Sequence, residues 1–171
     1  MEVKVKAQDL LSYEGDALIV NLFEGVKQPG GATGAADKAL AGAISAAVRR
    51  QEFRGKLHER LLLYTFGRLP VLQVLVIGLG KQEECGVDRI RSASAEALRH
   101  LRQAGARRVG SIVHGAGTGG IEASQASRAV TEGALLGLYR FGKYRRASED
   151  GERALKQLTL LERDRSKISS L

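Results

Sequence analysis

The sequence predicts a three-layer α/β/α sandwich built on a mixed, mostly parallel β-sheet. Short apolar runs typical of strands alternate along the chain with longer amphipathic stretches typical of helices. Glycine-rich segments follow two of the predicted strands, at the points where the chain turns from strand to helix. Strands interleaved with helices favour parallel pairing, because each helical crossover returns the chain to the same edge of the sheet.

The elements are predicted in the order β-β-α-β-β-α-β-α-β. The apolar run from Ala17 to Phe23 indicates a strand buried on both faces, whereas Val3 to Ala7 alternates apolar and charged residues and indicates one wet face. The predicted strands are residues 3–7, 17–23, 61–66, 71–77, 107–113 and 155–161. The predicted helices are residues 37–50, 87–104 and 121–141. Residues 28–34 and 142–151 are predicted as loops, and a further helix is compatible with the polar tail from Arg163.

The last predicted helix is apolar around most of its circumference. Its small residues would let it lie close on the sheet, and they are Ala126, Ala129, Gly133, Ala134 and Gly137. Its bulky residues Leu135, Leu136, Leu138 and Tyr139 fall on nearly all other sides. A helix that is apolar on most sides is usually buried on most sides. Either another element of the domain or a surface outside this chain is therefore expected to cover it.

Length and composition predict one domain over residues 1–171. Hydrophobic residues make up 43% of the chain and charged residues 27%, which fits a water-soluble fold with a substantial core. No apolar run approaches the roughly 20 residues that cross a bilayer, and the charged start is not a signal peptide. Cys85 is the only cysteine, so no intrachain disulfide is expected. These features predict a cytoplasmic protein without a membrane partner.

The net charge of +8 raises the question of a polyanionic partner. A basic surface favours nucleic acid through neutralisation of phosphates and release of counterions. The positive residues are nevertheless spread along the chain in doublets and form no block of five or six. Aromatic residues make up only 5% of the chain, which argues against a stacking platform for single strands. Nucleic-acid binding and an ordinary basic surface both stay open.

Two glycine-rich segments are the candidate binding loops. Gly115, Gly117 and Gly120 match the pattern G-x-G-x-x-G after a predicted strand, and Gly119 lies in the same segment. Glycines there let backbone N–H groups approach a phosphate at the amino terminus of a helix. The other segment contributes Gly30, Gly31 and Gly34 after the strand that ends at Phe23. The alternative for both segments is a tight turn that needs positive φ angles.

No residue pattern predicts catalysis in this chain. His58, His100 and His114 have no spacing suited to a shared metal ion, and only His114 lies beside a glycine segment. No nucleophile signature surrounds Cys85, which indicates an ordinary thiol. The sequence also lacks the H-E-x-x-H, G-x-S-x-G and Walker patterns. We therefore predict no catalytic residue and no metal ligand here.

Four sequence words resemble the amino-terminal domain of the leucyl aminopeptidases, which are cytosolic two-metal exopeptidases. They are V-N-L-F-E-G at residues 20–25, L-Y-T-F-G at 63–67, V-I-G-L-G-K at 76–81 and E-G-A-L-L-G-L-Y-R-F at 132–141. They occur in the family's order over nearly the full chain. The resemblance implies a parent enzyme that removes leucine-like amino-terminal residues, uses two divalent ions such as zinc or manganese, and assembles as a hexamer.

The same resemblance places the catalytic machinery outside this chain. In the family, metal ligands and catalytic groups lie in a carboxyl-terminal domain, in words such as N-T-D-A-E-G-R-L and K-G-x-T-F-D-S-G-G. Neither word occurs here. The expected function is thus that of a non-catalytic domain, with the catalytic domain and other copies of the parent as partners. Some bacterial members also bind DNA, which is a further alternative.

The family's amino-terminal domain is itself similar to macro domains, which bind ADP-ribose. Here A-L-I-V-N at residues 17–21, the segment at 30–36 and H-G-A-G-T-G-G at 114–120 resemble the corresponding strand and loops. Macro domains continue with N-A-A-N where this chain has Asn21-Leu-Phe-Glu24. The change removes an asparagine and adds negative charge, which disfavours an anionic ligand nearby. We expect the fold to persist and the ADP-ribose site to be lost, although a phosphate-binding module stays an alternative.

Overall fold

A computed structural model describes residues 1–116, 120–139 and 154–171 of the chain. The six strands are β1 (Glu2–Ala7), β2 (Ala17–Leu22), β3 (Arg60–Tyr64), β4 (Gln73–Gly78), β5 (Arg108–Ile112) and β6 (Gln157–Glu162). The four α-helices are α1 (Gly31–Ala39), α2 (Ala43–Arg49), α3 (Val87–Gln103) and α4 (Ala123–Leu138). Short 3-10 turns occur at Leu10–Ser12, Gln82–Glu84 and Arg165–Ser170.

The strands form one sheet in the order β1-β6-β5-β2-β4-β3. Only the β3–β4 pair is antiparallel, and the other four neighbouring pairs are parallel. This confirms the predicted mixed, mostly parallel sheet. β2 and β5 are neighbours at the centre, so the segments that follow these two strands emerge side by side at the carboxyl edge of the sheet.

Each face of the sheet has its own apolar core. Alternate residues of β2, such as Ala17 and Ile19, join α3 and α4 in one core, while Leu18 and Val20 join α1 and α2 in the other. This period-two division follows from the pleat of a strand, which sends successive side chains to opposite faces. Helices on both faces confirm the predicted α/β/α sandwich.

α3 and α4 pack against each other at unusually short range. A Cβ atom built on Gly133 would lie 2.2 Å from the carbonyl oxygen of Arg91, and one on Gly137 would lie 2.6 Å from the Cβ atom of Ala95. The small residues of α4 therefore serve close contact with α3 as well as with the sheet. The prediction that they face the sheet is correct only in part, because sequence spacing does not distinguish a sheet from a neighbouring helix.

Two boundaries differ from the sequence prediction. The single helix predicted over residues 37–50 is two helices, because Ala41 and Gly42 adopt left-handed φ angles of 55° and 80° between them. The loop predicted over residues 28–34 is wrong from Gly31 onwards, where α1 begins. The loop predicted at 142–151 and the last residues of the helix predicted over 121–141 lie outside the described residues.

Asp37 connects α1 to α2 through a buried carboxylate. Its Oδ1 atom accepts from the backbone N–H groups of Ile44, at 2.8 Å, and Ser45, at 3.0 Å. The Ser45 hydroxyl donates to Oδ2. These bonds satisfy donors at the amino terminus of α2, whose own N-cap residue Gly42 has no side chain to offer.

Replacement of Asp37 by alanine is expected to lower the free energy of unfolding by about 2–3 kcal/mol, since it removes a cap and leaves buried donors unpaired. Urea denaturation measures the change. Asp88→Ala is the matched control, because the Asp88 side chain is 96% exposed. The control should stay within about 0.5–1 kcal/mol of the parent. Equal losses in the two variants would refute the capping role of Asp37.

Candidate functional site

Two adjoining cavities open at the carboxyl edge of the sheet. The larger, of about 730 Å³, lies among the end of β5, the amino termini of α1 and α4, and the carboxyl-terminal turn of the chain. The smaller, of about 300 Å³, lies between the ends of β2 and β5. Residues shared by both are Ala32, Ile112, Val113 and Ala116. This edge is where open α/β sheets bind ligands.

The first glycine segment forms the amino terminus of α1. Gly30 is the N-cap residue, lies in extended conformation and makes no side-chain cap. Within the described residues, no carboxylate or hydroxyl side chain is seen to cap this helix end, and Gly31 and Ala32 line the larger cavity. Gly31 has a φ angle of 54°. Gly34 serves packing, because a Cβ atom there would lie 2.7 Å from the carbonyl oxygen of Pro29.

The second glycine segment follows β5. Gly115 has a φ angle of 73°, and a Cβ atom there would lie 2.6 Å from the Cδ1 atom of Ile90. Gly120 has a φ angle of 78° with open space around it. Gly117 and Gly119 lie outside the described residues. Both described glycines of this segment thus have backbone or packing reasons to be glycine, and Gly115 also lines the smaller cavity.

The helix after this segment is capped by its own sequence. Glu122 is the N-cap residue of α4 and forms a capping box with Gln125, whose Oε1 accepts from the Glu122 N–H at 3.3 Å. The Glu122 carboxylate therefore lies at the amino terminus of α4, where the sequence analysis considered a phosphate-binding site. The spacing Glu-x-x-Gln at residues 122–125 could have identified this cap from the sequence.

His114 forms the centre of a buried network beneath the cavities. Its Nδ1 lies 3.2 Å from Asn21 Oδ1 and its Nε2 lies 3.2 Å from the Ser111 hydroxyl. Complete burial lowers the pKa of His114 to about 4. The ring is therefore neutral at physiological pH, with one nitrogen donating and the other accepting. The network connects the ends of β2 and β5. It therefore gives His114 a structural role.

Sequence reasoning did not identify the partners of this network. Asn21 and Ser111 are separated by 90 positions, and only the pairing of β2 with β5 brings them together. Thr33 adds α1 to the same region, because its hydroxyl donates to the Asn21 carbonyl oxygen at 2.7 Å. Because Val109, Gly110 and Ser111 are all buried in β5, strand alternation gave no indication of these partners.

Charged residues of both signs line the larger cavity. Asp9, Glu122 and Glu162 line it, opposed by Arg163 and Lys167. The Asp9 Oδ1 atom already accepts from the Leu11 N–H at 2.8 Å. Glu24 lies on the loop after β2, where its N–H donates to the Gly80 carbonyl oxygen at 2.8 Å. Three acids against two bases disfavour a diphosphate in the larger cavity, whereas Glu24 is not among the residues that line either cavity, and the loss of the ADP-ribose site stays a prediction.

The outer face of α4 exposes three large apolar side chains to solvent. The exposed fractions are 50% for Leu135, 68% for Leu136 and 74% for Tyr139. The opposite face of the helix, including Ala126, Ala129 and Ala134, is fully buried. Of the two expectations for this helix, coverage from within the domain therefore holds on one side only.

The remaining candidates lie apart from the cavities. His58 contacts the Ser92 hydroxyl at 2.8 Å, and His100 lies half-buried on α3, where desolvation lowers its pKa. Cys85 is half-buried with its pKa raised by burial, which makes it a weak nucleophile. Among the described residues, no group of three or more His, Cys, Asp or Glu side chains could hold a metal ion. No helix in these ranges is long and apolar enough to span a bilayer.

Comparison with solved structures identifies the structural class of this domain. A Trypanosoma brucei macrodomain solved in complex with ADP-ribose superposes with a TM-score of 0.75 at 15% identity, over 99% of this chain and 67% of that one. A tomato leucine aminopeptidase mutant superposes with a TM-score of 0.76 at 20% identity, over 96% of this chain and 33% of the other. The chain is thus a macrodomain-like α/β domain.

Sequence comparison then identifies the family. The profile of the cytosol aminopeptidase family, N-terminal domain, matches residues 19–148. The "Probable cytosol aminopeptidase" of Alkaliphilus metalliredigens is 32% identical over 94% of this chain, and that of Geotalea uraniireducens is 40% identical over 73%. The chain belongs to the cytosol aminopeptidase family and corresponds to its N-terminal domain. It spans 32% and 24% of the lengths of these two relatives.

Proposed function

We propose that this chain is the non-catalytic amino-terminal domain of a cytoplasmic, metal-dependent leucyl aminopeptidase, and that it contributes to assembly or regulation of that enzyme. The observation that carries the proposal is the family match over residues 19–148 in a chain that spans about a third of its relative's length. The two divalent ions and the catalytic groups belong, on this proposal, to the carboxyl-terminal catalytic domain.

The outer face of α4 supports a role in assembly. This face exposes apolar surface to water at Leu135, Leu136 and Tyr139. Covering such surface is worth roughly 25 cal/mol per Å² of apolar area. Contiguous exposed apolar residues on a helix whose opposite face is buried are typical of an interaction surface. We infer that the catalytic domain covers this face, and that other copies of the enzyme form a homo-oligomer around the pair.

The proposal predicts that the purified chain releases no product from a leucine anilide in the presence of manganese or zinc. An antibody raised against the chain should detect a polypeptide several times heavier than 18.4 kDa in source cells. Metal-dependent activity that co-purifies with the chain itself, and persists after gel filtration at 18.4 kDa, would contradict the proposal.

Substitution of Leu136 by aspartate tests the docking face. In the full-length protein we expect weaker attachment of this domain, measured as faster protease cleavage between the domains and lower thermal stability of the peptidase. The isolated chain should unfold at an unchanged temperature, because Leu136 is 68% exposed.

Leu72→Asp is the matched control, since Leu72 is 69% exposed at the hairpin between β3 and β4. If Leu72→Asp and Leu136→Asp weaken the full-length protein equally, the docking role of α4 is wrong.

A phosphate-binding module is the second candidate, favoured by the uncapped amino terminus of α1 at the carboxyl-edge cavities. Calorimetry of the chain with ADP-ribose tests it, and the absence of heat at high micromolar protein would count against it. The acidic residues Asp9, Glu122 and Glu162 make this the weaker proposal.

DNA binding is supported by the net charge of +8 alone. Several arginines of α3 and α4 are engaged by acids of the same helices, as in Arg91–Glu132 and Arg99–Glu96, which lowers the charge available to phosphates. A DNA role predicts duplex affinity that falls steeply with salt.

A further inference from the structure

A further polar pocket of about 360 Å³ lies beside β1 and shares Gln8 with the larger carboxyl-edge cavity. The strand register explains its composition. Glu2 pairs with Gln157 and Lys4 with Thr159, while Arg108 pairs with Gln157, so alternate residues of β1, β6 and β5 share one face. The residues that line the pocket are Lys4, Lys6, Gln8, Ser12, Tyr13, Glu14, Arg108 and Gln157. We call it the β1 pocket.

Tyr13 occupies a glycine-lined slot at the wall of the β1 pocket. A Cβ atom on Gly15 would lie 2.4 Å from the ring, and one on Gly110 would lie 2.7 Å from it. The residue is 3% exposed, yet its hydroxyl makes no hydrogen bond of normal geometry to any described residue. Leaving a buried hydroxyl unpaired costs free energy, so this group points to a missing partner.

The nearest polar groups leave that hydroxyl free to donate. Thr159 and Arg108 oppose the desolvation that raises the Tyr13 pKa, and burial remains the largest influence. The group is therefore a neutral O–H donor at physiological pH. The Thr159 hydroxyl lies near it and accepts from Gln157 Nε2 at 2.9 Å, but it makes no hydrogen bond of normal geometry with Tyr13. An acceptor from outside the chain would satisfy Tyr13.

The positive groups of the β1 pocket are only partly neutralised. Lys4 pairs with Glu2 at 3.1 Å, whereas Lys6 and Arg108 form no ion pair within the described part of the chain. Asp16 lies near Arg108, but its Oδ2 atom accepts from the backbone N–H groups of Arg107 and Arg108, both at 2.7 Å. Glu14 is the one carboxylate that lines the pocket.

We propose that the β1 pocket binds a phosphate group, held by Lys6, Arg108 and the Tyr13 hydroxyl. The pocket presents an ammonium, a guanidinium and a buried hydroxyl donor, which together match the several acceptor oxygens of a tetrahedral oxyanion. Arginine suits bidentate contact with two phosphate oxygens, and lysine adds a point charge. The group is either free inorganic phosphate or the terminal phosphate of a small monoester.

Calorimetric titration of the purified chain with inorganic phosphate and with glycerol phosphate, at constant ionic strength in chloride, tests the proposal. Thermal unfolding is measured in the same solutions. We expect saturable heat and a higher unfolding temperature with phosphate. Tighter binding of glycerol phosphate assigns the site to a monoester, and equal or tighter binding of inorganic phosphate assigns it to the free ion.

Three substitutions locate the site. Lys6→Met, Arg108→Gln and Tyr13→Phe are each expected to weaken phosphate binding about tenfold, as loss of a hydrogen bond to a charged group does. Tyr13→Phe should unfold at the same temperature as the parent or a higher one without phosphate, because the lost hydroxyl is unpaired. A merely structural tyrosine hydroxyl would give a lower temperature.

Lys56→Met is the charge-matched control, in the exposed loop before β3 at the far edge of the sheet. It should bind phosphate as the parent does. Absence of any phosphate response, or equal loss of response in Lys6→Met and Lys56→Met, overturns the proposal. A response to duplex DNA without one to either phosphate compound also overturns it, in favour of a nucleic-acid surface.

Discussion

Replacement of Gly133 by alanine is expected to lower the free energy of unfolding by about 3 kcal/mol or more. The new Cβ atom would lie 2.2 Å from the Arg91 carbonyl oxygen, which is backbone and cannot rotate away. Forcing extra volume into a packed contact costs about 1–3 kcal/mol and at times more. Such a loss is large against a total stability of roughly 5–15 kcal/mol.

Whether Gly133→Ala lowers or raises the free energy of unfolding tests how closely α3 and α4 pack. Alanine is about 1 kcal/mol better than glycine inside a helix, so a stabilised Gly133→Ala variant would mean that α3 and α4 are further apart. Leu136→Ala on the same helix is the control, because its side chain projects into solvent and should change stability by less than about 1 kcal/mol. Chemical denaturation of the three proteins decides the matter. Because α4 packs closely on α3, the same clash would also shift the outer face of α4.

Acidification is expected to remove about 3 kcal/mol of stability through His114. Its pKa is about 4 in the folded chain and about 6.5 when exposed, so the unfolded chain binds the extra proton between these values. Stability is unaffected by this group above pH 6.5 and falls as the pH drops towards 4. The slope is about 1.4 kcal/mol per pH unit, the value of one proton.

Urea denaturation at several pH values between 6.5 and 4.5 measures this slope before the carboxylates Glu96, Glu132 and Asp164 protonate. The variant His114→Gln should be less stable at neutral pH and nearly flat over this interval. His100→Gln removes the other histidine whose pKa burial lowers, and as the control it should keep most of the parent's pH slope, because His100 is only half-buried. A parent protein as flat as His114→Gln would rule out a neutral, buried His114 as the source.

Local pattern accounts for most of the fold prediction. All six strands occur within a few residues of their predicted ends, because each is a short apolar or alternating run bounded by turn residues. The amphipathic α3 was equally clear. Errors arose at residues 31–50, where glycines and alanines carry no amphipathic pattern. There the left-handed residues Ala41 and Gly42 divide the helix, and α1 begins inside a segment rich in turn formers.

The candidate site was predictable in position but not in chemistry. The glycine segments were predicted to follow two strands, and the pairing of these strands, β2 and β5, brings the segments together at one edge. The capping of α4 by Glu122 has a short spacing that was overlooked, whereas the burial of His114 with Asn21 and Ser111 arises from contacts that no short motif encodes. Whether these glycines bind a ligand stays a prediction.

The sequence by itself determined the fold class, the family and the lack of the family's catalytic words, because these depend on local periodicity and on short motifs in a given order. Tertiary structure alone decided which apolar face of α4 remains in water, and which cations gather beside Tyr13. Both outcomes depend on strand order and on helix contacts between residues far apart in the chain. Lys6 and Arg108 share a pocket only because β6 pairs with both β1 and β5.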